Sequence, residues 1–497
     1  MSFLGNKTQR MHPLYVPVAN KVDYFFYTAF RRINPFSVIA LALLIYSLVG
    51  FVGDIRSLFS DSVWDRVLYI AAFILSGVVK VLNLAAHYED RFTTDEIDKD
   101  FFKDVDVPNG DWERLELRMG DKETESVFFS EKIDKLLRSD TPIDIRRDKE
   151  YEKRLGAHIR KKENWEATYS KFLRHNHRKA MYSGKQFYNE AKYGLSSDPT
   201  PSADPTKPAE AVKIHKTCYF DSYLTNIIPG QVLTRNRDKE VMASALEAGW
   251  LPYTAEGEER RLRATGECAM ANEPGVTTLC IKENDTIILW RQNHLAQCST
   301  GQLVASGSGS ANWGDCRKYL HDPDKNGLRK AVRRGMEREL WEESVGMRGV
   351  SDRKFYKNLD TRITGYFRWL KKGGKAEFVG VSRLRNSNSM TENLLPEESE
   401  VLAGEEIPAG SIAKLKAEIG KRLKKQTQSG ARFGKRDKVY SVSCAMALRA
   451  LQATCQEYCD RDCPHAKEEG CKGDECPYRP FKVLFDEKYI VKLEKRR

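Results

Sequence analysis

The chain has 497 residues, of which 41% are hydrophobic, 10% aromatic and 31% charged, with a formal net charge of +12. That length holds about two to four domains, and the apolar content excludes a wholly disordered chain. The positive excess points to an acidic partner, whether anionic lipid, nucleic acid or a phosphorylated ligand, and does not choose among them.

The N-terminal residues 1–92 predict a membrane hairpin. Phe36–Val52 is an almost uninterrupted apolar run, and Val67–Ala86 is a second, interrupted mainly by Lys80. Helices of this length can cross a hydrocarbon core of about 30 Å. Against a mean hydropathy of −0.57 for the whole chain, the two runs, at about 36–52 and 67–86, stand out. A buried helical hairpin is the plainer alternative. Lys7, Arg10, Lys21, Arg31 and Arg32 precede the first run, and Arg91 and Lys99 follow the second. The positive-inside rule then places both termini in the cytoplasm of a two-span, multi-pass protein, in the inner membrane if the source is bacterial. Lys80 either snorkels to the interface or lines a pore between hairpins of a homo-oligomer. Val22–Phe30, aromatic and flanked by basic residues, is either an interfacial helix or the start of the first span.

Residues 93–195 are heavily charged and carry helical patterning. Val127, Phe128, Phe129, Ile133, Leu136 and Leu137 form one apolar stripe, and Trp165, Tyr169, Phe172 and Leu173 another. This stretch is expected to be a helical, cytoplasmic coupling region. Residues 196–210, rich in Pro, Ser and Asp, read as a flexible linker.

Residues 211–443 follow a different pattern. Thr277–Ile281 and Thr286–Trp290 predict two short strands around the turn Lys282–Asp285. A glycine-bearing loop, Ser306–Ser310, precedes a helix over Leu328–Ser344. Thr361–Leu370 and Ala376–Leu384 predict further strands around Lys371–Gly374. Near the helix end, Glu339, Glu342 and Glu343 are spaced i, i+3 and i+4, which sets their side chains within an arc of roughly 100°. Such carboxylates repel one another and sit at the negative end of the helix dipole. An oxygen-preferring cation such as Mg²⁺ or Mn²⁺ would offset both effects. A solvated acidic helix end with an Arg338–Glu342 pair is the plainer reading.

The run Arg338-Glu339-Leu340-Trp341-Glu342-Glu343, with Gly346 after it, resembles the core of the Nudix box, the motif of hydrolases that cleave nucleoside diphosphates linked to another group. The order of hairpin, glycine loop, acidic helix and further strands is similar to that of the family. The resemblance covers roughly Lys213–Ser443 and implies an α/β/α sandwich. Three departures stand in the sequence, one of them an extra residue between Glu343 and Gly346. Asp324 and Lys330 occupy the positions of the family's upstream glycine and glutamate, and an inserted segment with Trp313, Asp315 and His321 separates Gly307 and Gly309 from the helix. By resemblance, Glu339, Glu342 and Glu343 would hold Mg²⁺ or Mn²⁺ against a diphosphate. Arg338 would orient a glutamate, and Gly307 and Gly309 would let backbone amides approach phosphates.

In the last segment, 444–497, five of the chain's eleven cysteines fall between positions 455 and 476: Cys455, Cys459, Cys463, Cys471 and Cys476, with His465 among them. In a cytosolic domain such clustering argues for metal rather than disulfides. Four thiolates, or three with His465, would satisfy tetrahedral Zn²⁺. An iron–sulfur cluster and a set of reduced, partly buried thiols are the alternatives.

Together these readings give an α+β chain: a two-helix transmembrane hairpin, a helical region, a Nudix-like domain and a Cys-rich helical module. The function they imply is a membrane-anchored Nudix-type pyrophosphohydrolase acting on a nucleoside diphosphate-linked substrate with a divalent metal. The alternative is a nucleotide-sensing membrane effector, similar to those of bacterial defence systems, whose Nudix-like domain binds without turnover. Nucleic acid is not an expected partner, because no reading helix or aromatic–basic stacking pattern is present.

Overall fold

In the computed structural model, most of residues 92–485 are described; 1–91, 245–252, 293–300, 345–355, 385–400, 463–479, 486–497 and some shorter stretches are not. The chain divides into two compact units. Within the first, Phe92–Glu96, Gln231–Arg235 and Val241–Ser244 form an antiparallel three-stranded sheet. The same unit holds the helical run from Trp165 through Ser183, in which Trp165, Tyr169, Phe172 and Leu173 are buried as their spacing predicts.

The second unit is built around a nine-stranded sheet. In chain order its strands are β1 (Glu113–Arg118), β2 (Thr124–Phe129), β3 (Gly275–Ile281), β4 (Thr286–Gln292), β5 (Leu303–Ala305), β6 (Gly307–Ser310), β7 (Leu359–Trp369), β8 (Lys375–Leu384) and β9 (Val401–Pro408). Its helices are α1 (Glu131–Arg138), α2 (Trp313–Cys316), α3 (Gly327–Ser344), α4 (Ile412–Thr427) and α5 (Val442–Asp462). The order across the sheet is β5-β4-β3-β8-β7-β2-β1, with β6 paired to β3 and β9 to β4. The β3–β8 pair is parallel, and every residue of β3 is buried, as a strand covered on both faces requires.

Alternation along β3 assigns the two faces. Leu279 and Ile281 pack into a core with Ile412, Leu415, Ile419 and Leu423 of α4 and Ala445, Leu448 and Leu451 of α5. Val276 packs on the other face with Leu328, Ala331, Val332 and Met336 of α3 and Ile133 of α1. The spacing of Leu328, Ala331, Val332 and Met336, continued by Leu340, is why α3 forms here: one stripe at helical period faces the sheet. Between β7 and β8, Gly373 and Gly374 take φ of 61° and 70°, so the predicted Lys371–Gly374 turn closes through a left-handed pair.

Several expectations are corrected. Among the described residues no helix is long and apolar enough to cross a membrane. The longest, α5, has 21 residues but carries Arg449, Glu457 and Asp460 and packs on the sheet. The runs assigned as spans, 36–52 and 67–86, lie outside the described residues. The transmembrane hairpin and the multi-pass location drawn from it are therefore withdrawn; an apolar run signals burial, of which a bilayer is only one form. Residues 93–195 are not purely helical either. Val127–Phe129 closes strand β2, and Ile133, Leu136 and Leu137 belong to the separate helix α1, so one apolar stripe was two elements meeting at a corner. Nor is 196–210 free throughout: Ser196 is buried, and Asp198 accepts hydrogen bonds from Tyr366 Oη at 2.6 Å and Thr265 Oγ1 at 2.7 Å.

Candidate functional site

The acidic end of α3 lies against strand β6, and the contact depends on two glycines. A Cβ on Gly307 would stand 2.6 Å from the backbone N and Cα of Leu340, and one on Gly309 would overlap the carboxylate of Glu339. Glycine here lets helix and strand approach more closely than side chains allow. The expectation that Gly307 and Gly309 serve phosphate approach thus meets a packing role that accounts for both. At the same edge the amide of Ser308 donates to Glu343 Oε2 at 3.0 Å.

Arg338 is the centre of the cluster. Its Nη1 donates to Glu339 Oε1 at 2.8 Å and to Glu342 Oε2 at 3.0 Å. Its Nη2 donates to the Ser310 carbonyl at 2.8 Å and to Asp315 Oδ2 at 3.1 Å, while Nε reaches the same carboxylate at 3.3 Å. Burial alone would lower the Arg338 pKa, but Glu339, Asp315 and Glu342 hold it well above its usual value. Burial raises the Glu339 carboxyl, opposed by Arg338 and Lys192. Lys192 donates to Asn312 Oδ1 at 2.5 Å.

The structure therefore brings Gly307, Gly309, Arg338, Glu339, Glu342 and Glu343 to one place, and adds residues that spacing did not suggest. Asp315, 4% exposed, comes from α2 in the inserted segment, where a capping box with Asn312 fixes it. Lys192 comes from Ala191–Leu195, the edge of a separate three-stranded sheet with Ile145–Arg147 and Val212–Cys218. The insertion was visible in the sequence. Nothing in their spacing showed that Asp315 would bind Arg338 or that Lys192 would act on Glu339.

As placed, these carboxylates do not fit a divalent ion. Glu339 and Glu342 both point an oxygen at the same guanidinium nitrogen, and Glu343 is turned to the Ser308 amide. Among the described residues no group of three or more His, Cys, Asp or Glu side chains is arranged to hold a metal. The α3 carboxylates expected to hold Mg²⁺ or Mn²⁺ are thus not arranged as a metal group here; Arg338 stands between Glu339 and Glu342 and takes one oxygen from each.

Only two of the zinc candidates lie among the described residues. Cys455, on α5, is fully buried in the core, where burial pushes its thiol pKa up, and Cys459 packs partly against that core. Cys463, His465, Cys471 and Cys476 lie outside the described residues. A second arrangement with catalytic letters is also structural. Ser196 Oγ lies 2.9 Å from His215 Nδ1, but both residues are buried, and burial lowers the His215 pKa to about 3. Without access for a substrate, the pair anchors strands rather than attacks one.

No family model matches the chain, and no curated protein matches it. Among solved structures, DR0079 from Deinococcus radiodurans is similar over 36% of this chain and 81% of its own, at 15% identity and a TM-score of 0.22. A likeness that slight bears on neither fold nor activity.

Proposed function

We propose that the second unit contains a Nudix-type domain that binds a nucleoside diphosphate-type ligand without hydrolysing it. The observation that carries the reading is the state of Arg338: the run resembling the box is locked onto the glycine strand, and its arginine already satisfies Glu339, Glu342 and Asp315. In this arrangement Arg338 holds the glutamates, and Gly307 and Gly309 seat the helix. The positive net charge of the chain favours an anionic ligand.

Hydrolysis is the second reading, and one observation favours it. Glu342 is 16% exposed, and Glu343 is likewise only partly buried, so both retain some access to solvent at the end of α3. The test uses the full chain and a panel of nucleoside diphosphates, nucleotide sugars and dinucleoside polyphosphates, each with and without Mg²⁺ or Mn²⁺. Saturable binding with no product supports the proposal. Metal-dependent product release establishes the hydrolase instead, and neither binding nor turnover refutes both.

A further inference from the structure

The guanidinium of Arg338 has five N–H donors in a fixed planar fork. Each has an acceptor: Nε on Asp315, the two of Nη1 on Glu339 and Glu342, and the two of Nη2 on Asp315 and the Ser310 carbonyl. The acceptors come from three elements, α2, β6 and α3 itself. The arginine side chain is only 14% exposed, and that of Asp315 5%. An incidental surface pair leaves most of a fork to water, whereas here the protein supplies every partner. Charge tells the same story. Three carboxylates converge where repulsion would be severe without a cation, and one guanidinium, with Lys192 nearby, supplies it.

We propose that Arg338 is a resident counter-ion, occupying in the Asp315–Glu339–Glu342 cluster the place a divalent cation would take, so that wild-type protein binds no Mg²⁺ or Mn²⁺ there. The departure at Lys330 fits this role. The position where the family carries its upstream glutamate holds a lysine paired with Asp322 and Asp324, each at 2.6 Å. One carboxylate of the family's set is thus absent, and the fork of Arg338 is satisfied by Asp315, the Ser310 carbonyl and the α3 glutamates. The inference rests on the functional reading only in treating α3 as a helix where a cation would be expected.

The experiment titrates Mn²⁺ alone into full-length protein and follows free ion by electron paramagnetic resonance and stability by thermal unfolding. Arg338→Gln removes the charge and most of the fork and leaves three carboxylates facing one another. It should bind one additional Mn²⁺ at least about tenfold more tightly than wild type and be stabilised by it. That gain should vanish in the Arg338→Gln, Glu342→Gln double variant. Arg338→Lys, with a cation but no fork, should fall between. If wild type already takes up an ion that Glu342→Gln abolishes, the proposal is overturned, whatever the Arg338 variants do. Wild-type uptake unchanged by Glu342→Gln supports it even where Arg338→Gln fails to fold. A protein that binds no nucleotide yet gains the ion on losing Arg338 would refute the functional reading and leave this one standing.

Discussion

Asp134 offers a sharp test of how burial and charge are balanced in this fold. It lies on the inner face of α1, 5% exposed, and its Oδ1 accepts the Tyr366 amide at 2.8 Å beside the irregularity in β7 between Ile363 and Gly365. Burial raises its carboxyl to about 7, against the opposing pull of Arg138, the Tyr366 amide and Arg449. An acid whose folded pKa exceeds its unfolded value of 3.8 holds its proton more tightly in the native state. Its contribution to stability is therefore fully present below pH 3.8 and is lost as the pH rises to about 7. Each unit of the window is worth about 1.4 kcal/mol, so between pH 5 and pH 8 ionised Asp134 costs the native state about 2–3 kcal/mol. Asp134→Asn keeps an acceptor for Tyr366 and removes the ionisation. Urea unfolding of both proteins at pH 5 and pH 8 gives a double difference that cancels other groups, including Glu337, which burial also raises to about 7. The variant should gain about 2–3 kcal/mol on wild type over that interval. An advantage independent of pH, or a wild type that becomes relatively more stable at pH 8, would refute the reasoning.

Two further predictions address the candidate site. Gly307→Ala drives a methyl into the backbone of Leu340, which cannot rotate away, and should destabilise the protein by about 2–3 kcal/mol. Gly314→Ala, where a Cβ meets nothing within 4 Å, should leave chemical denaturation almost unchanged; equal midpoints for the two variants would remove the close-approach argument. Lys330→Glu restores the family's letter but sets a carboxylate beside Asp322 and Asp324, a rise of about 12 Å along the helix from Arg338. It should lower stability most at low salt and produce no nucleotide turnover, and turnover gained in a nucleotide assay would sink that account.

The parts of the fold legible in sequence are those where one local rule acts alone. The β3–β4 hairpin follows from two apolar runs around a polar turn, and α3 from apolar residues at helical period. The β7–β8 turn follows from paired glycines, which can take positive φ. What escaped involves partners distant in the chain. The Val127–Leu137 stretch fits a helical stripe in composition, and only the pairing of β2 with β7 makes its first residues a strand. Asp198 sits in a segment composed like a linker, yet Tyr366 and Thr265 hold it. The site divides in the same way. Glu339, Glu342 and Glu343 share a helix, so their proximity follows from spacing; the identity of their counter-ion does not. Repulsion among the three requires a cation, and a divalent metal and a guanidinium satisfy that requirement equally well on paper. The choice is made by Asp315 and the Ser310 carbonyl, which complete the fork of Arg338 from elements brought together by the tertiary fold. A motif therefore fixes the demand for charge, while the surrounding fold decides which group supplies it.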